Sequence, residues 1–219
     1  ALNQRLRRFS VYSLWGAAEA YPPDSADLAL LSGGLDGITS DNGLVPLTNV
    51  LKVSACLIVN RDSWATKDLS DILASIDSAT PLTEQESPPL TLPGTGSGKG
   101  RQSIAQEVDD TVRLALPDGH QQQPTLDLLV RAGIKLDDYP SATGNCRPTI
   151  DLKGVSAKVI RPQDMPLQVA NGNFDVAVTG QDWLREHLYQ FPASPVIELL
   201  GLKSAKIRMV VVVSNDLPV

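Results

Sequence analysis

The chain reads as an α/β protein with a largely parallel sheet, and three observations predict it. The first is the stretch Lys158 to Trp183, KVIRPQDMPLQVANGNFDVAVTGQDW, which alternates strand and helix signals twice within about thirty residues, the grammar of a βαβ unit. The second is a set of short apolar, β-branched runs, such as Phe174 to Val178 and Met209 to Val213, too short for helices of their own. The third is the polar and glycine-bearing residues at the ends of such runs, where α/β sheets bind ligands.

Within the first stretch, Val159-Ile160 meets Arg161 and Pro162. Asp164 stands as an N-cap, and Pro166 falls in the first turn, where its missing N–H is not needed. Met165 and Val169 recur at i, i+4, and Gly172 supplies a left-handed stop. The following strand runs into Thr179-Gly180, and a helix opens near Asp182. Arg161, Gln163, Asp164, Thr179, Gly180 and Asp182 therefore fall at one sheet edge, where helix N-termini present free N–H groups to an anion. The bland alternative makes Asp164 and Asp182 caps and Gly180 a turn.

The 219 residues are 42% hydrophobic, enough for a substantial core in one large domain or two small ones. A net charge of −6 and a pI of about 4.9 argue against nucleic acid as a partner. Cys56 and Cys146 are far apart and fit no metal spacing, and His120 and His187 share no zinc frame, so no protein-ligated metal is expected. No apolar run approaches twenty residues and the N-terminus lacks a signal-peptide pattern, which points to a cytoplasmic protein away from membranes.

In chain order, Ala1 to Arg8 is basic and helix-compatible. Ser10 to Leu14 reads as a short strand, Ala17 to Ala20 as a helical turn, and Asp27 to Leu31 as a buried strand. That strand runs into Ser32-Gly33-Gly34-Leu35-Asp36-Gly37 and then Asn42-Gly43, where glycines let backbone N–H groups approach a ligand. A glycine-rich surface turn is the plain alternative. Val45 to Leu51 reads as a short helix, Ser54 to Val59 as a strand, and Thr66 to Ile76 as an amphipathic helix. Asp77 to Asp110 reads as a flexible linker. Its Gly94 to Gly100 run lacks the glycine and hydroxyl that a phosphate-binding P-loop needs. A new unit starts at Thr111: strand Val112 to Leu116, loop Pro117 to His120, helix Pro124 to Ala132 stopped by Gly133, and later strands Val196 to Leu200 and Met209 to Val213.

From Val112 the segments VRLALPDG, LLVRAGI, RPTI, KVIRPQDMP, NGNFDVAVTGQDWLRE and IRMVVVVS resemble the first half of ATP phosphoribosyltransferase, and FSVYSLWGAAEAYPP, ADLALLSGG, NGL and SACLIVN resemble its second half. The halves stand in reversed order. The resemblance thus implies a circularly permuted chain, or one that begins and ends inside the catalytic fold, with each half supplying strands to the other's sheet. It further implies a two-lobed α/β fold like type II periplasmic binding proteins, with mixed, mainly parallel sheets. Lobe I would take residues 111–208 plus 46–76, lobe II residues 209–219 plus 1–45, and 77–110 would be the linker.

The reaction so implied transfers phosphoribosyl from phosphoribosyl pyrophosphate to N1 of ATP, opening histidine biosynthesis, with Mg²⁺ carried mostly by substrate phosphates. On matching positions Arg161, Asp164, Thr179, Gly180 and Asp182 carry over to the cleft, Glu19 to the ribose, and Asn42-Gly43 to the end of the phosphoribosyl-pyrophosphate loop. Gly33, Gly34, Asp36, Gly37, Asp118 and Gly119 fall in the two phosphate loops. Those loops depart from the family pattern: Asp118-Gly119-His120 replaces a Lys-Gly-Arg type sequence, and Leu35 to Thr39 replaces a Thr-Gly-(Ser/Thr)-Thr-Leu run. The resemblance also implies a short form that oligomerises and works with a histidyl-tRNA-synthetase-like regulatory subunit. Two rivals remain open, a degenerate homologue acting as a ligand-binding or regulatory subunit, and a solute-binding protein of the same fold.

Overall fold

The computed structural model describes residues 9–14, 16–33, 41–80 and 110–216. They form two main sheets and one small ribbon. The larger sheet holds five strands in the order β7-β4-β8-β3-β9: β3 (Ala55–Asn60), β4 (Val112–Pro117), β7 (Val155–Ile160), β8 (Val176–Gly180) and β9 (Val196–Gly201). β4 pairs in parallel with both β7 and β8, while β3 runs antiparallel to β8 and β9. Every residue of β3 and β8 is buried, as their unbroken apolar sequences require of strands covered on both faces.

Helices cover both faces. On one side α2 (Ser70–Ala79) and α3 (Gln122–Arg131) pack Ile72, Ile76, Leu128 and Leu129 against Leu57, Val59, Leu114, Leu116 and Val178. On the other side α4 (Met165–Ala170) and α5 (Gln181–Gln190) pack Met165, Val169 and Leu184 against Cys56, Ile58, Ala115 and Ala177. The expected βαβ order is the one observed, with β7, α4 and β8 stepping over β4. Gly172 ends α4 at φ +71°, and Gly133 follows α3 at φ +75°. A short α1 (Arg61–Thr66) opens on Asn60, whose side-chain oxygen accepts from the N–H groups of Asp62 and Ser63.

The second sheet is antiparallel, with β10 (Ile207–Ser214) between β1 (Ala29–Gly33) and β2 (Leu44–Val53). Its core is Ala29, Leu31, Leu44, Val210 and Val212, capped by Ala18 from a single 3₁₀ turn. Both sheets thus interleave the two halves of the chain: β3 sits among C-terminal strands, and β10 sits between N-terminal ones. The ribbon pairs β5 (Leu136–Asp137) with β6 (Thr149–Ile150).

Two crossings join the sheets. Ser54 alone separates β2 from β3, and Leu202 to Lys206 separate β9 from β10. They run side by side, tied by Ala55 N–H to Ser204 O and Leu202 N–H to Ala55 O, both 2.9 Å. Lys203 and Ala205 hold left-handed backbone there, φ +52° and +46°, which costs a non-glycine residue about 1–2 kcal/mol.

Five expectations are corrected. Val45 to Leu51 lies in β2 and is no helix: its β-branched residues pair with β10, and Pro46, lacking an N–H, is tolerated beside the register slips of an edge strand. The boundary between the sheets consequently falls at Ser54, not at residue 46. Ser10 to Leu14 forms no strand, and Val11 and Tyr12 stand exposed. The helix expected over Thr66 to Ile76 is two, α1 and α2, broken at Lys67 to Leu69. Residues 77–79 finish α2 instead of opening the linker, and most of that segment (81–109) lies outside the described residues, as do 1–8.

Candidate functional site

The parallel strands end in step. Pro117 of β4 lies opposite Ile160 of β7, and the Ala115–Ala177 pairing brings Gly180 level with Asp118. Three loops therefore share one edge: Asp118-Gly119-His120, Arg161 to Asp164, and Gly180 to Asp182. The crossings leave from this same edge, because Ala55 pairs with Gly180 and Cys56 with Gly201. The edge faces the route to the second sheet.

The loops are braced from within. Tyr139 Oη donates to Pro117 O at 2.7 Å, Asp118 N–H to Ile160 O at 3.1 Å, and Asp164 N–H to Arg161 O at 3.0 Å. Gly119 turns the first loop at φ +67°. Thr179 is wholly buried and its hydroxyl donates to Pro162 O at 2.9 Å, so it braces the Pro162 turn instead of presenting its hydroxyl to a ligand. Asp164 precedes α4 with helical backbone and makes no side-chain cap bond, against the capping expectation. Its carboxylate, Gln163 and Arg161 are exposed.

Gly180 has ordinary backbone (φ −83°), so its role is one of space. A Cβ there would overlap Asp182 Oδ1 and lie 3.2 Å from Gln121 Nε2. Gln181, first residue of α5, ties the edge to the crossing. Its backbone N–H donates to Ser54 O at 3.0 Å, its Oε1 accepts from Ser54 N–H at 3.3 Å, and its Nε2 donates to Glu198 Oε1 at 2.8 Å.

On the second sheet, Gly33 ends β1 opposite Arg208, and Arg208 lies opposite Lys52. Gly33 therefore lies at the end of that sheet next to the crossings, and two exposed cations share one of its faces there. The half-buried Glu19 sits in the 3₁₀ turn whose Ala18 covers the core of this sheet. Asn42 and Gly43 precede β2 at its other end, where Asn215 N–H donates to Gly43 O, a strand length of roughly 30 Å from the crossings. Gly34, Asp36 and Gly37 lie outside the described residues.

Sequence reasoning missed Gln121, Gln181, Lys52 and Arg208. The cation pair was legible only through strand register, and Gln121 only through burial.

The edge carries carboxylates from Asp118, Asp164 and Asp182 beside Arg161. Among the described residues no three His, Cys, Asp or Glu side chains come together as metal ligands. This donor set suits a cation that arrives with its own phosphate and water ligands more than one held in a protein cage. A cavity at the opposite edge, lined by Thr111, Arg113, Ser156, Lys158, Asn173 and Phe174, belongs to the strand beginnings instead. Among the described residues no helix is long and apolar enough to cross a membrane.

A sequence model of the ATP phosphoribosyltransferase family matches residues 161–219. The ATP phosphoribosyltransferase of Geotalea uraniireducens (strain Rf4) is 33% identical over 117 residues, 51% of this chain and 38% of that one. Its counterpart from Desulfatibacillum aliphaticivorans is 33% identical over 114 residues, 51% of this chain and 37% of the relative. The chain thus spans less than two fifths of the length of these relatives. Among solved structures, a binding-protein component of a phosphonate ABC transporter from Pseudomonas aeruginosa aligns with a TM-score of 0.45 and 14% identity, covering 89% of this chain and 53% of that one. A periplasmic substrate-binding protein from Coxiella burnetii aligns with the same score and identity, covering 94% and 72%. By sequence about half of the chain is similar to the ATP phosphoribosyltransferases.

Proposed function

We propose that the chain carries the substrate cleft of an ATP phosphoribosyltransferase, which moves phosphoribosyl from phosphoribosyl pyrophosphate to N1 of ATP at the first step of histidine biosynthesis. The observation that carries this reading is the meeting of Arg161, Asp118-Gly119 and Gly180 to Asp182 at one sheet edge, beside the crossings to the second sheet. The sequence kinship over residues 161–219 covers two of those three loops.

Transfer of this kind proceeds through an oxocarbenium-like sugar and is served by positioning and charge stabilisation more than by acid–base groups. Arg161 would hold a phosphate, and the first-turn N–H groups of α5 beyond Gln181, whose own N–H is held by Ser54 O, would receive another anionic oxygen. Arg208 and Lys52 supply positive charge from the second sheet in place of the cation missing at Asp118. Mg²⁺, bound with the substrate, would neutralise the pyrophosphate as it leaves. A homo-oligomer in the cytoplasm, with a histidyl-tRNA-synthetase-like regulatory subunit, completes the reading.

Asp118 favours a second reading. A carboxylate where a phosphate arrives repels it, as a homologue would that keeps the cleft for binding or regulation after losing the chemistry. Calorimetric titration with phosphoribosyl pyrophosphate plus Mg²⁺ and with ATP, followed by a turnover assay, separates the two. Binding with turnover supports the transferase, binding without turnover supports the second reading, and no binding refutes both. Arg161 is exposed, so Arg161→Ala should leave the melting temperature within about a degree or two while abolishing binding. Unchanged binding would remove Arg161 from the site.

A further inference from the structure

Among the described residues, three buried side-chain polar atoms have no hydrogen-bond partner: Gln121 Nε2, Gln121 Oε1 and Asp182 Oδ1. All three belong to one place. Gln121 Nε2 and Asp182 Oδ1 both abut the position where Gly180 lacks a Cβ, and Gln121 is 0% exposed. One atom is a donor and the other an acceptor. They come from different elements, the 3₁₀ turn after β4 and the first turn of α5.

Buried polar groups are nearly always paired, and an unpaired one costs about 1–3 kcal/mol. A methionine in place of Gln121 would match its length, at a position that is 0% exposed, without that penalty. The chain instead keeps an amide there, at the junction of two loops of the cleft. Each such group in a native fold calls for an explanation, and a partner supplied by a further event is one.

We propose that Gln121 is a positioning residue for Asp182. When a ligand fills the cleft edge, a small shift lets Gln121 Nε2 donate to Asp182 Oδ1, fixing the carboxylate so that its other oxygen accepts a hydrogen bond from the ligand. Gly180 makes this possible, since any side chain there would stand between the two groups. Gln121 does not touch the ligand; it acts through Asp182. The inference rests on the transferase reading only for the identity of the ligand.

The test uses Gln121→Met, which removes the amide and keeps the length of the side chain, with Gln121→Leu as a second apolar variant. Both should melt at a higher temperature than the wild type, yet bind ATP or phosphoribosyl pyrophosphate with Mg²⁺ about tenfold more weakly. A purely structural Gln121 would move stability and binding in the same direction, so lower stability overturns the proposal. So does higher stability with unchanged affinity. Asp182→Ala, made alone and in the Gln121→Met background, supplies a second arm read by affinity for the same probes and for ribose 5-phosphate, whose hydroxyls can donate to Asp182 whether or not the transferase reading holds. Non-additive losses of affinity support the Gln121–Asp182 linkage and additive ones overturn it. If the wild type binds ribose 5-phosphate but neither transferase substrate, the functional reading fails and this cycle still decides the positioning role; binding of none of the three overturns both.

Discussion

The two edges of the five-stranded sheet are made of similar residues and behave in opposite ways. Where β4 and β8 begin, Asp175 is fully buried and accepts five hydrogen bonds: from Ser63 Oγ (2.7 Å), Lys67 Nζ (2.9 Å), Arg113 N–H (2.8 Å), Arg113 Nε (3.1 Å) and Arg113 Nη2 (3.0 Å). Where the same strands end, Asp182 and Gln121 bury three polar atoms and pair none of them. One edge is closed by ion pairs and hydrogen bonds; the other holds three buried polar atoms with no partner among the described residues. An aspartate flanks β8 at each end, and its surroundings alone decide whether it holds the fold or serves the cleft.

The sharpest way to break this contrast is to remove the paired side. Burial by itself would push the Asp175 carboxyl up. The hydrogen bonds from Arg113, Ser63 and Lys67, and from the Arg113 backbone, outweigh it and hold the group well below the usual carboxylate range. Asp175→Ala should cost about 3–5 kcal/mol in urea unfolding, since it removes the buried carboxylate that pairs with Lys67 and Arg113. The sign of the acid response follows from the depressed folded-state value. Stability from this group is complete above the unfolded carboxyl value of about 4 and is lost as pH falls below it. Asp175→Asn should flatten that acid limb. An unchanged limb would assign it to other carboxylates.

A smaller effect probes the unpaired edge. Gly180→Ala places a methyl against Asp182 Oδ1 and Gln121 Nε2, and because both are ends of side chains that can yield, it should cost about 1–3 kcal/mol. Ligand affinity should fall with it as Asp182 is displaced. Gly172→Ala is the control. It meets open space but needs left-handed backbone at φ +71°, so it should cost about 1–2 kcal/mol and leave affinity alone. Equal affinities in the two variants would dissolve the distinction between a glycine kept for space and one kept for conformation.

What could be read from the sequence follows the same divide. The β7–α4–β8–α5 order is legible because its apolar runs are unbroken and Gly172 punctuates them, so the cleft edge follows from the sequence alone. β2 was not legible, because its partner β10 lies more than 150 residues further on and nothing local to LVPLTNVLKV declares that pairing. The structural role of Asp175, a charge inside FDVAV, is not legible locally, since its partners Ser63, Lys67 and Arg113 stand 112, 108 and 62 residues away. Gln121 is the first of three consecutive glutamines, and nothing in QQQP marks it as the buried one. Only the packing of the turn against Gly180 and α5 separates it from Gln123, which remains exposed. Local rules placed the elements, and long-range pairing decided which polar residues are buried.

The smallest predicted effect concerns the far end of α5, the helix that carries Asp182. His187 is buried there with its Nε2 2.7 Å from Ser194 Oγ and its ring 5.2 Å from Phe191. Burial lowers its pKa, so the folded protein favours the neutral ring. Below the ordinary histidine value of about 6.5 the unfolded chain takes a proton that the folded one resists, and stability therefore declines as pH falls from neutrality. Thermal melts from pH 8 to pH 5 should show this shallow decline in the wild type and lose it in His187→Gln, whose amide can still reach Ser194. Because α5 links His187 to the cleft, ligand affinity measured on the same samples sharpens the comparison of edges. If affinity falls with pH in the wild type but not in His187→Gln, the helix transmits the protonation to Asp182. If affinity is constant, the cleft edge depends on Gly180 and its neighbours alone.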